Sequence, residues 1–252
     1  MEFSIATIVI ISALFFIVAF LYSSVGHGGA SGYLAVLSFF ALAPKEMSST
    51  ALVLNIIVSG IAFTAYYRAG HFSPRLAFPF LVGSVPAAFV GGMIHIPASV
   101  YTFLLAVALL VAAFRLIVKV EPTAGALIPY TPPRIAIALV VGGIVGLLSG
   151  IVGIGGGIFL SPLILLWNWA DAKQTSAASA CFILFNSVAG IAGRLMQAYF
   201  AVGNLLPFIV TAVAGGYLGS SLGARKFSNL TLRRLLGVVL IAAALKLLRV
   251  VL

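Results

Sequence analysis

Two glycine-rich stretches stand out in this chain: VGHGGA at residues 25–30 and VGIGGG at residues 152–157. Each follows a long apolar segment and opens another. Further pairs lie at nearly the same spacing, with Asn55 matched by Asn186 and Gly91 by Gly223. A glycine-interrupted helix at one place in each half, within a duplicated chain, is the pattern of a membrane transporter.

The composition indicates a membrane protein. The chain is 63% hydrophobic and 7% charged, with a mean hydropathy of +1.25, whereas soluble domains carry about 25% charged residues. Residues 5–21 and 101–117 are continuous apolar runs without the alternation of barrel strands. Since backbone polar groups must be paired inside lipid, these runs predict transmembrane helices and an all-α, polytopic fold.

The net charge of +10 is compatible with acidic partners, but we expect the 14 Lys and Arg residues to lie mostly between spans and to set orientation. The lipid bilayer is therefore the expected partner, and nucleic acid is not. A basic balance also suits an anionic substrate. The single cysteine, Cys181, excludes an internal disulfide and a cysteine-based metal cluster, so no cofactor or metal is predicted.

Ten apolar segments can be delimited, five in each half. They cover residues 3–22, 30–43, 48–66, 76–94 and 99–118, then 135–151, 158–169, 175–199, 205–222 and 232–252. A first repeat (1–118), a polar, proline-rich linker (119–134) and a second repeat (135–252) would form one integrated membrane domain. The segment that follows each glycine motif is short, and it could be a full helix or a partial crossing.

The orientation follows from the basic residues in the connections. With the N-terminus counted as zero, the odd connections hold ten Lys and Arg residues and the even ones hold four. The odd connections should be cytoplasmic, with both termini outside. Because five segments per half is an odd number, the second repeat should be inverted relative to the first.

The glycine motifs are the main candidate binding elements. A helix that restarts after such a break offers unpaired N–H groups and the positive end of its dipole, which together favour an anion. The candidate residues are Gly28, Gly29, Gly155, Gly156 and Gly157, with Ser24 as a nearby hydroxyl donor. Close helix packing is the alternative role for these glycines. Packing is favoured for the glycine-rich ridges at residues 142–150 and 215–223.

Two asparagines lie midway along apolar segments. Asn55 and Asn186 each need a hydrogen-bond partner once buried, and either could bind substrate or tie its helix to a glycine break. Ser49 and Ser179, one to two turns earlier, could face the same cavity or bond to their own helix backbone.

His27 and Arg194 are the remaining candidates. His27, inside the first motif, could couple transport to protons, bind substrate or cap a loop. Arg194, on the same predicted helix as Asn186, could bind an anion or extend to the membrane interface. A coupling ion, either a proton or sodium, is possible, but no carboxylate lies clearly inside a span.

The sequence contains neither the metalloprotease motif H-E-x-x-H nor the nucleotide-binding motif G-x-x-x-x-G-K-[ST]. We therefore expect a transporter and not an enzyme. A passive anion channel, an intramembrane enzyme and a structural membrane subunit remain as alternatives.

The repeated motifs and the paired asparagines resemble those of the sulfite exporter TauE/SafE family, over about residues 19–248. The dipeptides before the fourth segments, Gly70-His71 and Gly203-Asn204, fit as well. The resemblance implies an inner-membrane permease that exports or takes up a small sulfur-containing anion such as sulfite or an organosulfonate. Alternating access between the two repeats would move the substrate.

Overall fold

The computed structural model describes residues 4–40, 42–117, 131–200, 206–225, 240–241 and 244–249. These residues are helical or lie in turns and short loops, without strands, which confirms the all-α prediction. The helices are α1 (Ile5–Ser23), α2 (Ala30–Ser38), α3 (Pro44–Arg68), α4 (Pro74–Met93), α5 (Ala98–Ile117), α6 (Pro132–Val152), α7 (Gly157–Leu166), α8 (Ala172–Met196) and α9 (Leu206–Arg225). Most of the predicted linker and of the predicted tenth segment lies outside the described residues.

Within these ranges, six helices are long and apolar enough to cross a membrane, namely α1, α3, α4, α6, α8 and α9. By contrast, α2 has 9 residues and α7 has 10. At 1.5 Å per residue they reach about 14 and 15 Å, roughly half of a 30 Å hydrocarbon core. Each is therefore too short to span the core alone, as expected for the partial-crossing alternative.

The predicted boundaries differ most at the end of α2 and the start of α3. The second segment was expected to run to residue 43, but α2 ends at Ser38, and Ala43 is extended before Pro44. A residue that precedes proline is disfavoured in helical conformation, so α3 begins at the proline instead. In the same way, α6 begins at Pro132, because a proline is well accommodated in the first turn. The predicted linker therefore ends earlier than residue 134.

Glycine ridges join the two halves. Gly142, Gly146 and Gly150 of α6 approach the backbone carbonyls of Phe80, Ser84 and Ala88 in α4 so closely that a Cβ would collide with them. The sequence expectation of packing at this ridge is confirmed. Since both series rise together along the chain, α4 and α6 run parallel. Absent side chains let the helix backbones come into direct contact.

The second ridge acts in the same way between α9 and α1. Gly215, Gly219 and Gly223 face the carbonyls of Phe16, Phe20 and Ser24. These two helices also run parallel. Each half thus places its fourth helix against the first helix of the other half.

At the centre, α3 and α8 cross in antiparallel directions. Gly60 of α3 lies near Leu184 of α8, while Gly190 of α8 lies near Leu52 of α3. The fourth helix of each half also packs on the third helix of the other half, since α4 contacts α8 and α9 contacts α3. The half-length helices α2 and α7 lie beside this central pair, α2 against α3 and α7 against α8.

The carbonyl end of α2 has a partner from the end of the chain. The ammonium group of Lys246 donates a 2.8 Å hydrogen bond to the carbonyl of Ser38, the last residue of α2. The same group lies 4.8 Å from the centre of the Phe39 ring. A cation at a helix C-terminus is favourable because it meets the negative end of the dipole.

Candidate functional site

Both breaks depend on glycines in left-handed backbone conformation. In the first break, Gly26 and Gly29 have φ of 73° and 98°. In the second, Gly153 and Gly156 have φ of 84° and 78°, at positions that match those of the first. Residues with side chains adopt this conformation at a cost, so the glycines fix where each helix stops and restarts. Gly29 and Gly156 are the residues directly before α2 and α7, and neither has a side chain to cap its helix.

Asn55 links the two breaks. Its Oδ1 accepts a 3.1 Å hydrogen bond from the backbone N–H of Ala30, the first residue of α2. Its Nδ2 donates a 3.1 Å hydrogen bond to the carbonyl of Ile154 in the second break. The side chain is completely buried, and side chains at Gly28 or Gly155 would collide with it. Of the two alternatives for this residue, the structure matches the tie between a helix and the breaks.

Asn186 has a contrasting environment. It too is completely buried, but neither its Oδ1 nor its Nδ2 has a hydrogen-bond partner among the described residues. The hydroxyl groups of Ser187 and Ser149 are likewise buried and without partners there. An unpaired buried amide costs about 1–3 kcal/mol, so a group of such atoms requires an explanation.

The unpaired atoms lie beside the second break. The Ser187 hydroxyl is 3.1 Å from the position that a Cβ on Gly155 would occupy, and Ser149 Cβ is 3.3 Å from that on Gly156. Asn186 lies one turn after Phe182, which also contacts Gly156. It lies one turn before Gly190, which faces Gly150 of α6. Asn186 therefore lies on the α8 face that meets α6, close to Ser149. We call Asn186, Ser187 and Ser149 the unpaired polar group.

Although Asn55 and Asn186 are paired by their spacing in the sequence, they do not lie at equivalent positions relative to the two glycine breaks. In the first half, Gly28 lies against Asn55. In the second half, Gly155 and Gly157 lie against Ile183, three residues before Asn186. Because isoleucine offers no acceptor, the first N–H group of α7 lacks the side-chain cap that Asn55 gives to α2.

His27 connects the first break to α7. Its Nδ1 donates a 2.8 Å hydrogen bond to the carbonyl of Val25, and its Nε2 lies 3.0 Å from the hydroxyl of Ser161 and 3.2 Å from the carbonyl of Gly157. The Ser161 hydroxyl is also 2.7 Å from that of Ser179 on α8. A neutral ring would accept from Ser161, whereas a protonated ring could also donate to Gly157. The histidine is thus part of a buried network across the halves.

Arg194 points into the protein, and extension to the membrane interface is wrong for this residue, which is 2% exposed. Its guanidinium donates to the carbonyls of Gly150 at 2.7 Å and Ile151 at 3.0 Å, in the last turn of α6, and to the Ser48 hydroxyl at 3.0 Å. It therefore caps the helix that leads into the second break. Its Nε has no partner among the described residues.

Tyr66 does the same for the first break. Its hydroxyl donates a 2.9 Å hydrogen bond to the carbonyl of Ser24, which follows α1. The Tyr66 side chain is buried. Each half therefore uses a residue near the end of its third helix to cap its interrupted first helix.

The remaining predicted residues lie around the breaks in supporting positions. Ser24 is at the end of α1, and its hydroxyl donates to the carbonyl of Leu21. Ser49 is buried in the first half of α3. Among the described residues, no group of three His, Cys, Asp or Glu side chains could hold a metal ion.

An all-helical protein with six membrane-length helices and two half-length helices that begin at buried glycine breaks is a polytopic membrane protein with the architecture of a transporter. The chain belongs to the sulfite exporter TauE/SafE family, whose model matches residues 11–247. It is a membrane transporter of that family.

Two similar proteins carry the same general description. The chain is 39% identical to "Probable membrane transporter protein y4hK" of Sinorhizobium fredii (strain NBRC 101917 / NGR234), over 93% of this chain and 95% of the relative. It is 24% identical to "Probable membrane transporter protein YdhB" of Bacillus subtilis (strain 168), over 88% of this chain and 90% of the relative. No solved structure matches the chain.

Proposed function

We propose that this protein is a secondary transporter, operating as an exporter, for a small sulfur-containing oxyanion such as sulfite or an organosulfonate. The family description supports the substrate class. The observation that carries the proposal is the unpaired polar group beside the start of α7. An amide, two hydroxyls and the N–H groups of a helix start offer an oxyanion several hydrogen-bond donors at once.

The binding site would lie at the second break and not at both. The N-terminus of α2 is already bonded by Asn55, whereas the N-terminus of α7 faces Ile183, and Gly155 just before it lies beside the Ser187 hydroxyl. In this proposal Gly155, Gly156 and Gly157 supply backbone contact with the anion. Gly28 and Gly29 shape the first break, and Ser24 and Ser49 support the surrounding helices.

Alternating access would rock the two halves as inverted repeats. The antiparallel crossing of α3 and α8 and the exchange of fourth helices between the halves support this relationship. The orientation with ten basic residues on the cytoplasmic side and both termini outside an inner membrane remains part of the proposal. His27, linked to Ser161 and Ser179, is the group best placed to couple transport to protons.

The test is a thermal-shift screen of the purified protein with sulfite, sulfoacetate, taurine, sulfate and thiosulfate, followed by counterflow of the best ligand in proteoliposomes. We expect one sulfur anion to raise the unfolding temperature and to show saturable exchange. Asn186→Ala should remove the shift and leave the ligand-free unfolding temperature almost unchanged, since the amide has no partner to lose among the described residues. A shift that persists in Asn186→Ala would refute the site. Voltage-driven currents without saturable exchange would identify a channel instead.

A further inference from the structure

A cavity of about 660 Å³ lies beside the C-terminal ends of α3 and α9. Arg68 and Arg225, in the last turns of these two helices, both line it. Thr64, Tyr217 and Ser221 add hydroxyl groups to the same walls. A lining with two guanidinium groups and several hydroxyls has the chemistry of an anion-binding surface.

Among the residues that the structure describes, no carboxylate lies in the cavity to balance these charges. Its lining contains no acidic residue. Among the described residues the acids are Glu46 and Asp171, and the carboxylate of Asp171 accepts the N–H groups of Lys173 and Gln174 at the start of α8. Two cations on facing helices without a counter-charge repel each other, and an anion between them removes that cost.

The cavity also reaches deep into the protein. It extends along α3 from Arg68 to Ile57, which at 1.5 Å per residue is about 16 Å. Ile57 is two residues C-terminal to Asn55, the residue that links the two breaks. Gly60, which also lines the cavity, faces Leu184 of α8, two residues before Asn186. The inner end of the cavity therefore reaches the level of Asn55 along α3 and of Leu184 along α8.

The corresponding place between α4 and α8 is closed. A Cβ on Gly92 would collide with the carbonyl of Gly190, and one on Gly193 with the carbonyl of Phe89. The backbones of α4 and α8 are thus in direct contact, whereas α3 and α9 meet near their C-terminal ends through the buried side chains of Tyr66 and Ala224, with the cavity beside them.

We propose that the cavity between α3 and α9 is an anion-collecting vestibule, in which Arg68 and Arg225 form a second binding station for small oxyanions. Its role as the cytoplasmic entrance rests on the proposed transport function, whereas anion binding by the two arginines does not. The station lies outside the site at α7. It concentrates anions by its field, as clefts lined with one sign of charge do.

Thiol reactivity tests the station without any transport. In a Cys181→Ala background, Thr64→Cys and, separately, Ser221→Cys place one thiol in the cavity of the full-length protein. The rate of reaction is measured with 2-sulfonatoethyl methanethiosulfonate, which is anionic, and with its trimethylammonium analogue, which is cationic. We expect the anionic-to-cationic rate ratio to fall roughly tenfold in the Arg68→Gln, Arg225→Gln double variant. Arg75→Gln, a change of equal charge at an exposed residue outside the cavity, should leave the ratio unaltered.

The source of the anion is distinguished by protection. Slower modification in the presence of sulfoacetate identifies a dissolved oxyanion, and slower modification only in phosphatidylglycerol-containing liposomes, compared with phosphatidylcholine alone, identifies a lipid headgroup. A ratio that does not respond to loss of both arginines, or two cysteines that react with neither reagent, overturns the proposal. If the ratio responds but the wild type exchanges no sulfur anion, the station stands and the transport function falls.

Discussion

The amide Nδ2 of Asn55 donates a 3.1 Å hydrogen bond to the carbonyl of Ile154, which joins the third helix of one half to the glycine loop of the other. Its Oδ1 holds the N–H of Ala30 in its own half. One buried side chain thus spans both breaks. Movement of the halves against each other at this place has to break or exchange the bond to Ile154.

Asn55→Ala should destabilise the protein strongly. The change leaves the N–H of Ala30 and the carbonyl of Ile154 buried and unpaired, at a cost of about 2–5 kcal/mol in unfolding free energy. Thermal unfolding in detergent measures this, with Asn186→Ala as the matched control because that amide has no hydrogen-bond partner in the part of the chain that the structure describes. Equal unfolding temperatures for the two variants would contradict the assignment of Asn55 as the link.

Arg194→Gln should also lower the unfolding temperature, because it removes hydrogen bonds from a charged donor to the carbonyls of Gly150 and Ile151. We expect a loss of about 2–4 kcal/mol, since hydrogen bonds to charged groups contribute more than neutral ones. Arg194→Lys should recover only part of it, because an ammonium group cannot reproduce the planar fork. A primary role in binding substrate would instead give variants of normal stability that fail to bind.

Gly142→Ala and Gly143→Ala form a matched pair on one helix. A Cβ at Gly142 would collide with the carbonyl of Phe80, whereas one at Gly143 would lie 3.8 Å from its nearest neighbour, the carbonyl of Gly83. The first change should destabilise by about 1–3 kcal/mol, as overpacking does. The second should be neutral or stabilise by up to about 1 kcal/mol, because alanine favours helix. Chemical denaturation of both variants checks the difference in sign.

Ser161→Ala and Ser179→Ala should not be additive. Their hydroxyls are 2.7 Å apart, and Ser161 also lies 3.0 Å from His27 Nε2. A double-mutant cycle on unfolding free energy should give a coupling of about 0.5–1.5 kcal/mol. If proton coupling runs through this network, His27→Gln should in addition flatten the pH dependence of counterflow. Zero coupling energy would mean that the two serines act independently.

Much of the architecture was predictable, because it follows from strong local signals. Continuous apolar runs predicted the helices, and the glycine motifs predicted two interruptions, which the left-handed angles at Gly29 and Gly156 explain. The length of α2 was less certain, since only Pro44 marked where the chain had to leave the helix. The ridge at Gly142 was predicted from its spacing alone.

The site was harder to predict, because it depends on contacts between distant segments. Asn55 and Asn186 have similar sequence surroundings, yet one is fully bonded and the other is not. The difference comes from how α8 turns Ile183 towards the second break, and no local pattern encodes that rotation. Tyr66 was missed for a similar reason, since an aromatic residue near a helix end usually marks the interface. Ser187 follows Asn186 directly in the sequence, and no motif or spacing marked it as a candidate site residue.

The 2.8 Å hydrogen bond from Lys246 to the carbonyl of Ser38 links the C-terminal part of the chain to the end of α2. A deletion that stops short of residue 246 would leave the exit of a half-length helix uncapped in an apolar setting. Fusions and truncations at that terminus would then perturb α2, the helix that begins after the first glycine break.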